Sequence, residues 1–360
     1  MRMGWRRRLV CAPPGAQRGR NMKNEIIGYV GSGEFTEEDA KKLTGINLAF
    51  GELHNDGSVT FNDGCRSKIE MIPQIRKWND KLRIILSMVQ ADRNAFTVCC
   101  ATEEMREKAA ASLAEATVKY DLDGIDLDWE YPCVPSNNSA VSPDDRHNFT
   151  LFCEAIRRHL DAIGGRKYYL TIAAGGDLYY VNCVEIPELM KYLDYINIMT
   201  YDLKCGFHAL AGHHTSLFSK PADVFMNSCA QALELFVKYG APADRLLMGA
   251  AFYSRRWDNL HDNENHGLLE LCPKGGGYGP DYDILVADYI NKNGYTEYWD
   301  DEAKAPYLFN GSTFLSYDDP RSLKEKAVFV KEKGYGGIFY WEHKCDKTRT
   351  LLDTLYQEMK

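Results

Sequence analysis

Short apolar runs alternate along this chain with longer stretches in which apolar residues recur every three or four positions. The short runs are Ile26–Val30, Ile46–Phe50, Arg83–Met88, Gly124–Asp128, Tyr169–Ala174, Tyr195–Met199, Leu246–Ala251 and Gly337–Trp341. Rich in Ile, Leu and Val, they read as strands of a parallel sheet buried on both faces. The stretches between them read as helices. Thr102 can cap one, with Glu103 and Glu104 at its positive end and Met105, Ala109, Leu113, Ala116 and Tyr120 along one face. Ser142-Pro143 opens another, with Phe149, Phe152, Ile156, Leu160 and Ile163 on one face and Gly164-Gly165 to stop it. Asp319-Pro320 starts the last long helix, which ends at Gly334. Strand–helix units following one another eight times predict an α/β chain closed into a TIM (β/α)8 barrel. An open doubly wound sheet is the alternative fold, but no GxGxxG follows any candidate strand.

The gap between the seventh and eighth strands is long and aromatic, containing GGGYGPDYD and YWDDEAKAPYLFN. It reads as a small insertion, over about residues 258–315, in a barrel spanning residues 25–360. The chain's 360 residues suit one barrel with such an addition. A net charge of -8 argues against a nucleic-acid partner, which needs clustered cations. No apolar run reaches the roughly 18 residues of a membrane span. The first 21 residues hold six arginines and no acid, and their apolar run, Leu9 to Ala12, is cut by Pro13-Pro14. Residues 1–24 are therefore expected to be a basic extension, disordered or not part of the natural chain, with Met22 a natural start and a weak targeting peptide the lesser reading. The 11 cysteines are odd in number and form no CxxC pair, so a cytoplasmic setting without structural zinc is favoured, with secretion the alternative; separately, a monomer without cofactor or metal is expected.

The stretch DGIDLDWEYP, Asp123 to Pro132, carries the candidate chemistry. Side chains alternate along a strand, so Asp126, Asp128 and Glu130 share one face while Ile125 and Leu127 take the other. In a parallel barrel the acids would climb the inner wall, about 7 Å apart, toward the C-terminal rim. Like charges so placed cannot all ionise, and a glutamate held protonated at the rim suits a general acid. On spacing alone, a Ca²⁺ or Mg²⁺ site and a structural network remain open.

At this motif the chain resembles glycoside hydrolase family 18, the chitinases, whose fourth-strand signature DGxDxDxEYP it keeps throughout, with Trp129 before the acid. The likeness runs from about Glu25 to the C-terminus. NLAF, Asn47 to Phe50, matches the second strand, and MxYD appears as Met199, Tyr201 and Asp202. FYSRRW supplies Tyr253 and Arg255, GGIFYWE supplies Trp341, and Tyr29 stands where the family has a tyrosine on strand one. The resemblance implies hydrolysis of β-1,4-linked N-acetylglucosamine chains, chitin or its oligosaccharides, with retention and participation of the substrate's own acetamido group. It implies that Glu130 protonates the glycosidic oxygen and then activates water, and that Asp128 holds the N-acetyl group with Asp126 sharing its proton. Tyr201 would bond the acetamido oxygen. Tyr29, Phe50, Trp129, Met199, Asp202, Tyr253, Arg255 and Trp341 would contact the sugar. One departure is SMVQ on the third strand, where the family reads SxGG: Ser87 is kept, but Val89-Gln90 replace two glycines and would reshape the nearby wall.

Other features are read more plainly. Adjacent His213-His214 suit loop structure near the cleft better than a shared metal. Gly275-Gly276-Gly277 reads as a loop, since no Lys-Ser/Thr follows. Trp257, Tyr282, Tyr298 and Trp299 suit either sugar subsites or ordinary core. Two rival functions share the barrel: a non-catalytic chitinase-like lectin, which Glu130 argues against, and an endo-β-N-acetylglucosaminidase acting on N-glycans.

Overall fold

The computed structural model describes residues 23–135 and 141–360. All eight candidate strands are present and pair in parallel into a closed cylinder. They are β1 (Glu25–Val30), β2 (Gly45–Leu53), β4 (Arg83–Gln90), β5 (Gly124–Asp128), β6 (Tyr169–Gly175), β7 (Tyr195–Met199), β8 (Leu246–Ala251) and β14 (Gly337–Trp341), with the short β3 (Val59–Phe61) forming a hairpin on β2. The order β1-β14-β8-β7-β6-β5-β4-β2 is closed by pairing of β1 with β2. The predicted TIM barrel is the observed fold. Residues 1–22 of the basic segment, and with them most of the expected 1–24 extension, lie outside the described residues.

Helix punctuation follows the sequence signals. Thr102 caps Glu103–Lys119 by accepting from the Met105 N–H, and Asp319 forms a reciprocal capping box with Ser322 ahead of Pro320–Lys333. The helix expected from Ser142-Pro143 begins later, at Asp145. Asp145 is buried, and its carboxylate accepts from the N–H groups of Ser142 and Cys133, so the Ser142-Pro143 turn is tied to the chain just beyond β5 before the helix starts.

Two apolar layers position the site. Ile125, Leu127 and their counterparts on other strands pack outward against the helices. Ile27, Tyr29, Ala49, Ile85, Ala173, Tyr195, Met199, Leu247 and Phe339 fill the inside of the cylinder. Gly124 is required where it stands: a Cβ there would lie 2.0 Å from the Tyr169 carbonyl oxygen on the neighbouring strand.

The long gap before the eighth barrel strand folds into a separate antiparallel sheet. Its strands are β9 (Tyr253–Trp257), β10 (Gly277–Asp281), β11 (Thr296–Asp300), β12 (Ala305–Phe309) and β13 (Phe314–Ser316), in the order β10-β9-β13-β12-β11. It begins at Tyr253, five residues before the expected start of the insertion, because β9 leaves β8 after a single residue, Phe252. Its own small core contains Trp257, Leu260, Leu268, Tyr307, Phe309 and Phe314.

Candidate active site

The carboxylates of β5 stand on the inner wall, as alternation requires. Asp126 is fully buried. One oxygen accepts from the Tyr29 hydroxyl and the Ser87 hydroxyl, each at 2.8 Å; the other accepts from the Thr171 hydroxyl at 2.5 Å and the Asn197 amide at 3.3 Å. Strand register makes this possible, because Ser87 and Thr171 are the residues paired with Asp126 on its two neighbouring strands. Burial raises the Asp126 carboxyl above its ordinary range, and the four donors pull it back.

Asp128, one step up, has no such set of donors; its Oδ1 is buried without a hydrogen-bond partner among the described residues. Burial pushes its carboxyl far above the usual carboxylate range, and the charges of Glu130 and Asp126 push it further. Glu130 reaches solvent at the mouth, yet the surrounding walls thin its hydration. That desolvation raises its carboxyl, and the Asp202 charge adds to the rise while the Tyr131 hydroxyl opposes it. The ladder therefore holds protons at pH values where an ordinary carboxyl would have lost them.

Tyr201 stands over the ladder. Burial, then the charges of Asp128, Glu130 and Asp202, push its hydroxyl well above the ordinary value, so it stays a donor. Its ring packs edge-on against Tyr253 and Phe339. Gly249 leaves room for that ring, since a Cβ there would meet its Cε1 at 2.8 Å. Asp202 accepts from the Tyr253 hydroxyl at 2.7 Å and from Arg255 Nε at 2.6 Å, with Arg255 Nη2 on its second oxygen. Burial alone would raise Asp202; its hydrogen bonds from His214 and Arg255 outweigh that and hold it well below the usual range. On the opposite wall, the Trp341 ring stacks on Phe50 at 5.4 Å between centroids and takes the edge of Tyr29 at 5.8 Å. Met199 completes the inner layer.

Most of the residues singled out from sequence thus meet at one mouth: Tyr29, Phe50, Asp126, Asp128, Glu130, Met199, Tyr201, Asp202, Tyr253, Arg255 and Trp341. Trp129 does not. It is 3% exposed, stacked on Phe96 at 5.3 Å and edge-on to Phe149, in the layer between barrel and helices. Direct sugar contact by Trp129 is therefore withdrawn. The alternation that sends Ile125 and Leu127 outward sends Trp129 the same way. Trp257 and Tyr282 are buried and serve packing, while half-buried Tyr298 stacks on Tyr307 and His266 and half-buried Trp299 lies beneath Arg321. Thr171 and Asn197 were missed, although each is a polar residue inside an apolar strand. Tyr278, 74% exposed on β10, was missed too; the Arg255 guanidinium lies 3.7 Å from its ring centroid.

The family model for glycosyl hydrolases family 18 matches residues 25–346. The chain belongs to that family. Chitinase A1 of Niallia circulans is 36% identical over 83% of this chain, and an endochitinase of Manduca sexta is 29% identical over 72%. The chain spans only about half of these relatives, 46% and 50% of their lengths. Among solved structures, a family 18 N-acetylglucosaminidase from Paenibacillus barengoltzii is similar at 44% identity with a TM-score of 0.88, covering 93% of this chain and 99% of its own. Chitinase ChiA74 from Bacillus thuringiensis matches 94% of this chain at 29% identity and a TM-score of 0.86.

Proposed function

We propose that this family 18 chain hydrolyses β-1,4-linked N-acetylglucosamine chains, with retention at the anomeric carbon and Glu130 as proton donor. The observation that carries this reading is the graded ladder on β5: Asp126 buried and tied by four donors, Asp128 buried with a free acceptor, and Glu130 raised at the open rim. Retaining hydrolysis by a protein nucleophile needs a second carboxylate on the far side of the sugar; the family is a known exception, in which the substrate supplies that group. Three acids on one strand approach from one side, which suits the exception.

In the proposed reaction, protonated Glu130 delivers its proton to the glycosidic oxygen. The acetamido carbonyl oxygen attacks the anomeric carbon as the leaving sugar departs, forming a cyclic oxazolinium ion. Asp128 Oδ1 accepts the acetamido N–H, and its negative charge offsets the cation, while Asp126 exchanges a proton with it. The Tyr201 hydroxyl donates to the acetamido oxygen and fixes its line of attack. The Glu130 carboxylate then takes a proton from water, whose oxygen opens the ring from the face the leaving group left. Asp202 and Arg255 bind sugar hydroxyls, and the sugar at the cut rests on Trp341.

One observation favours a second reading of where the chain is cut. The Paenibacillus relative, matched over almost its whole length, is described as an N-acetylglucosaminidase, which suits release of single sugars. Time-resolved product analysis on chitotetraose, chitin and an N-glycan tests both. The first-formed sugar should be the β-anomer; an α-anomer formed first would overturn the retaining mechanism. Single N-acetylglucosamine from the earliest times supports end-cutting, the disaccharide supports internal cutting, and cleavage of the N-glycan alone would overturn the chitin reading.

A further inference from the structure

Among the described residues, three cysteines are half-buried, Cys133, Cys183 and Cys205, and the others are buried. Two of the three face each other across 50 residues of chain: Cys133 Sγ lies 3.8 Å from the Cys183 carbonyl oxygen and 3.7 Å from that of Pro143. Cys205 has an imidazole beside it instead, with His208 Nδ1 4.0 Å from its Sγ.

Both members of the facing pair sit on backbone that is held in place. Cys133 follows Glu130 by three residues and stands in the left-handed region, at φ 62°, which is uncommon for a residue with a side chain. Its N–H donates to the buried Asp145 carboxylate at 3.4 Å. Cys183 closes the short helix Leu178–Asn182 that follows β6, with its N–H donating to the Tyr180 carbonyl at 2.9 Å. Buried Tyr180 and Val181 anchor that helix. Tyr131, next to Glu130, packs edge-on against Tyr180, 6.0 Å between centroids. The two thiols thus flank the Tyr131–Tyr180 contact, one from each of the chain segments that make it. Burial pushes the Cys133 thiol up to about 11, and Cys183 pushes the same way, both by its charge and by a hydrogen bond between the two side chains. Cysteine side chains that already meet can be bridged with little backbone movement.

We propose that Cys133 and Cys183 are a thiol pair that oxidises to a disulfide and so fastens the loop after Glu130 to the helix beyond β6. The oxidant is a low-molecular-weight disulfide such as oxidised glutathione, acting by exchange. Cys133 holds its proton tightly and is the poorer nucleophile, so Cys183 attacks first. Its thiolate displaces one glutathione and forms a mixed disulfide. Cys133 then loses its proton to solvent, attacks the Cys183 sulfur and displaces the second glutathione. The pair gives up two protons and two electrons, and the small disulfide leaves as two thiols. The bridge closes a long segment of chain, which restricts the unfolded state and stabilises the fold.

The test incubates the protein with oxidised glutathione or with dithiothreitol, blocks the remaining thiols with N-ethylmaleimide, and maps unreduced peptides by mass spectrometry. After oxidation, peptides joined through Cys133 and Cys183 and lighter by two hydrogens are expected; after dithiothreitol they should be absent. Calorimetry on the same samples should show the oxidised protein melting at least about 2 °C above the reduced one. Cys133→Ser should trap glutathione on Cys183, and an adduct-free Cys183 in that variant overturns the exchange route. Wild-type Cys133 and Cys183 left as thiols, or carrying glutathione separately, overturn the pairing, as does a bridge from either to another cysteine. A bridge that forms without raising the melting temperature of the wild type overturns the fastening role. None of these readouts depends on which group gives the proton in hydrolysis, so their failure leaves the proposed reaction standing.

Discussion

Asp126 and Asp128 are the same residue type two positions apart on one strand, and their surroundings give them opposite work. Four donors fix Asp126 in place, while Asp128 keeps an acceptor free and carries a large desolvation cost. The sign of that cost is open to measurement. A carboxyl raised on folding is bound more tightly by its proton in the folded state. Its contribution favours folding below the unfolded value, near 4, and is lost as pH climbs through the raised folded value. At neutral pH the unfolded carboxyl is ionised, so the cost weighs against folding. Asp128→Asn should therefore raise the thermal midpoint at pH 7 and flatten its decline with rising pH, as followed by calorimetry. The same change should lower turnover by about 10²-fold or more, because the negative charge that offsets the oxazolinium ion is gone. A variant both less stable and fully active would contradict the role assigned to Asp128. The free acceptor on Asp128 and the unpartnered Nε2 of His214 among the described residues are contact-level facts. Sequence could place both residues near the mouth, but not reveal which of their atoms lack partners.

At the level of the element, β5 was legible almost to the atom. Period-two alternation put the acids inside and the aliphatics outside, and Gly124 to Asp128 is the observed span. The same rule, applied one residue further, places Trp129 in the outer layer, where the family likeness alone had suggested sugar contact. Trp129→Ala should cost about 3–5 kcal/mol of stability through the void between Phe96 and Phe149. The milder Trp129→Phe should leave KM for chitotetraose unchanged, and a large rise in KM with stability intact would restore the withdrawn contact. Gly124→Ala tests the strand contact directly: denaturant unfolding should show a loss of at least about 2 kcal/mol, since backbone must move. What sequence missed at this scale lies on neighbouring strands. Thr171 and Asn197 join the Asp126 network only through register across the barrel, and register between distant strands is not written in either strand alone.

For the whole molecule, eight ordered strand–helix units were enough to specify the cylinder, because a parallel strand needs a crossover and a closed sheet hides every edge. The insertion was legible as an aromatic-rich gap but not as a sheet. Its strands are short, antiparallel and partly exposed, and β9 departs from β8 with no turn signal to mark the change. Closure is what turns separate motifs into one site, bringing β1, β2, β5, β7, β9 and β14 residues to the same rim. The proposed reaction runs without a metal step, so EDTA should leave the hydrolysis rate unchanged, and strong inhibition would revive a cation-binding role for the ladder. The central claim is that Glu130 gives the proton that breaks the glycosidic bond. Initial rates of chitotetraose hydrolysis by wild type and Glu130→Gln, with binding followed by calorimetry on the same samples, test it most directly. Turnover should fall by at least about 10²-fold with affinity retained; a Glu130→Gln enzyme that hydrolyses at the wild-type rate would contradict it.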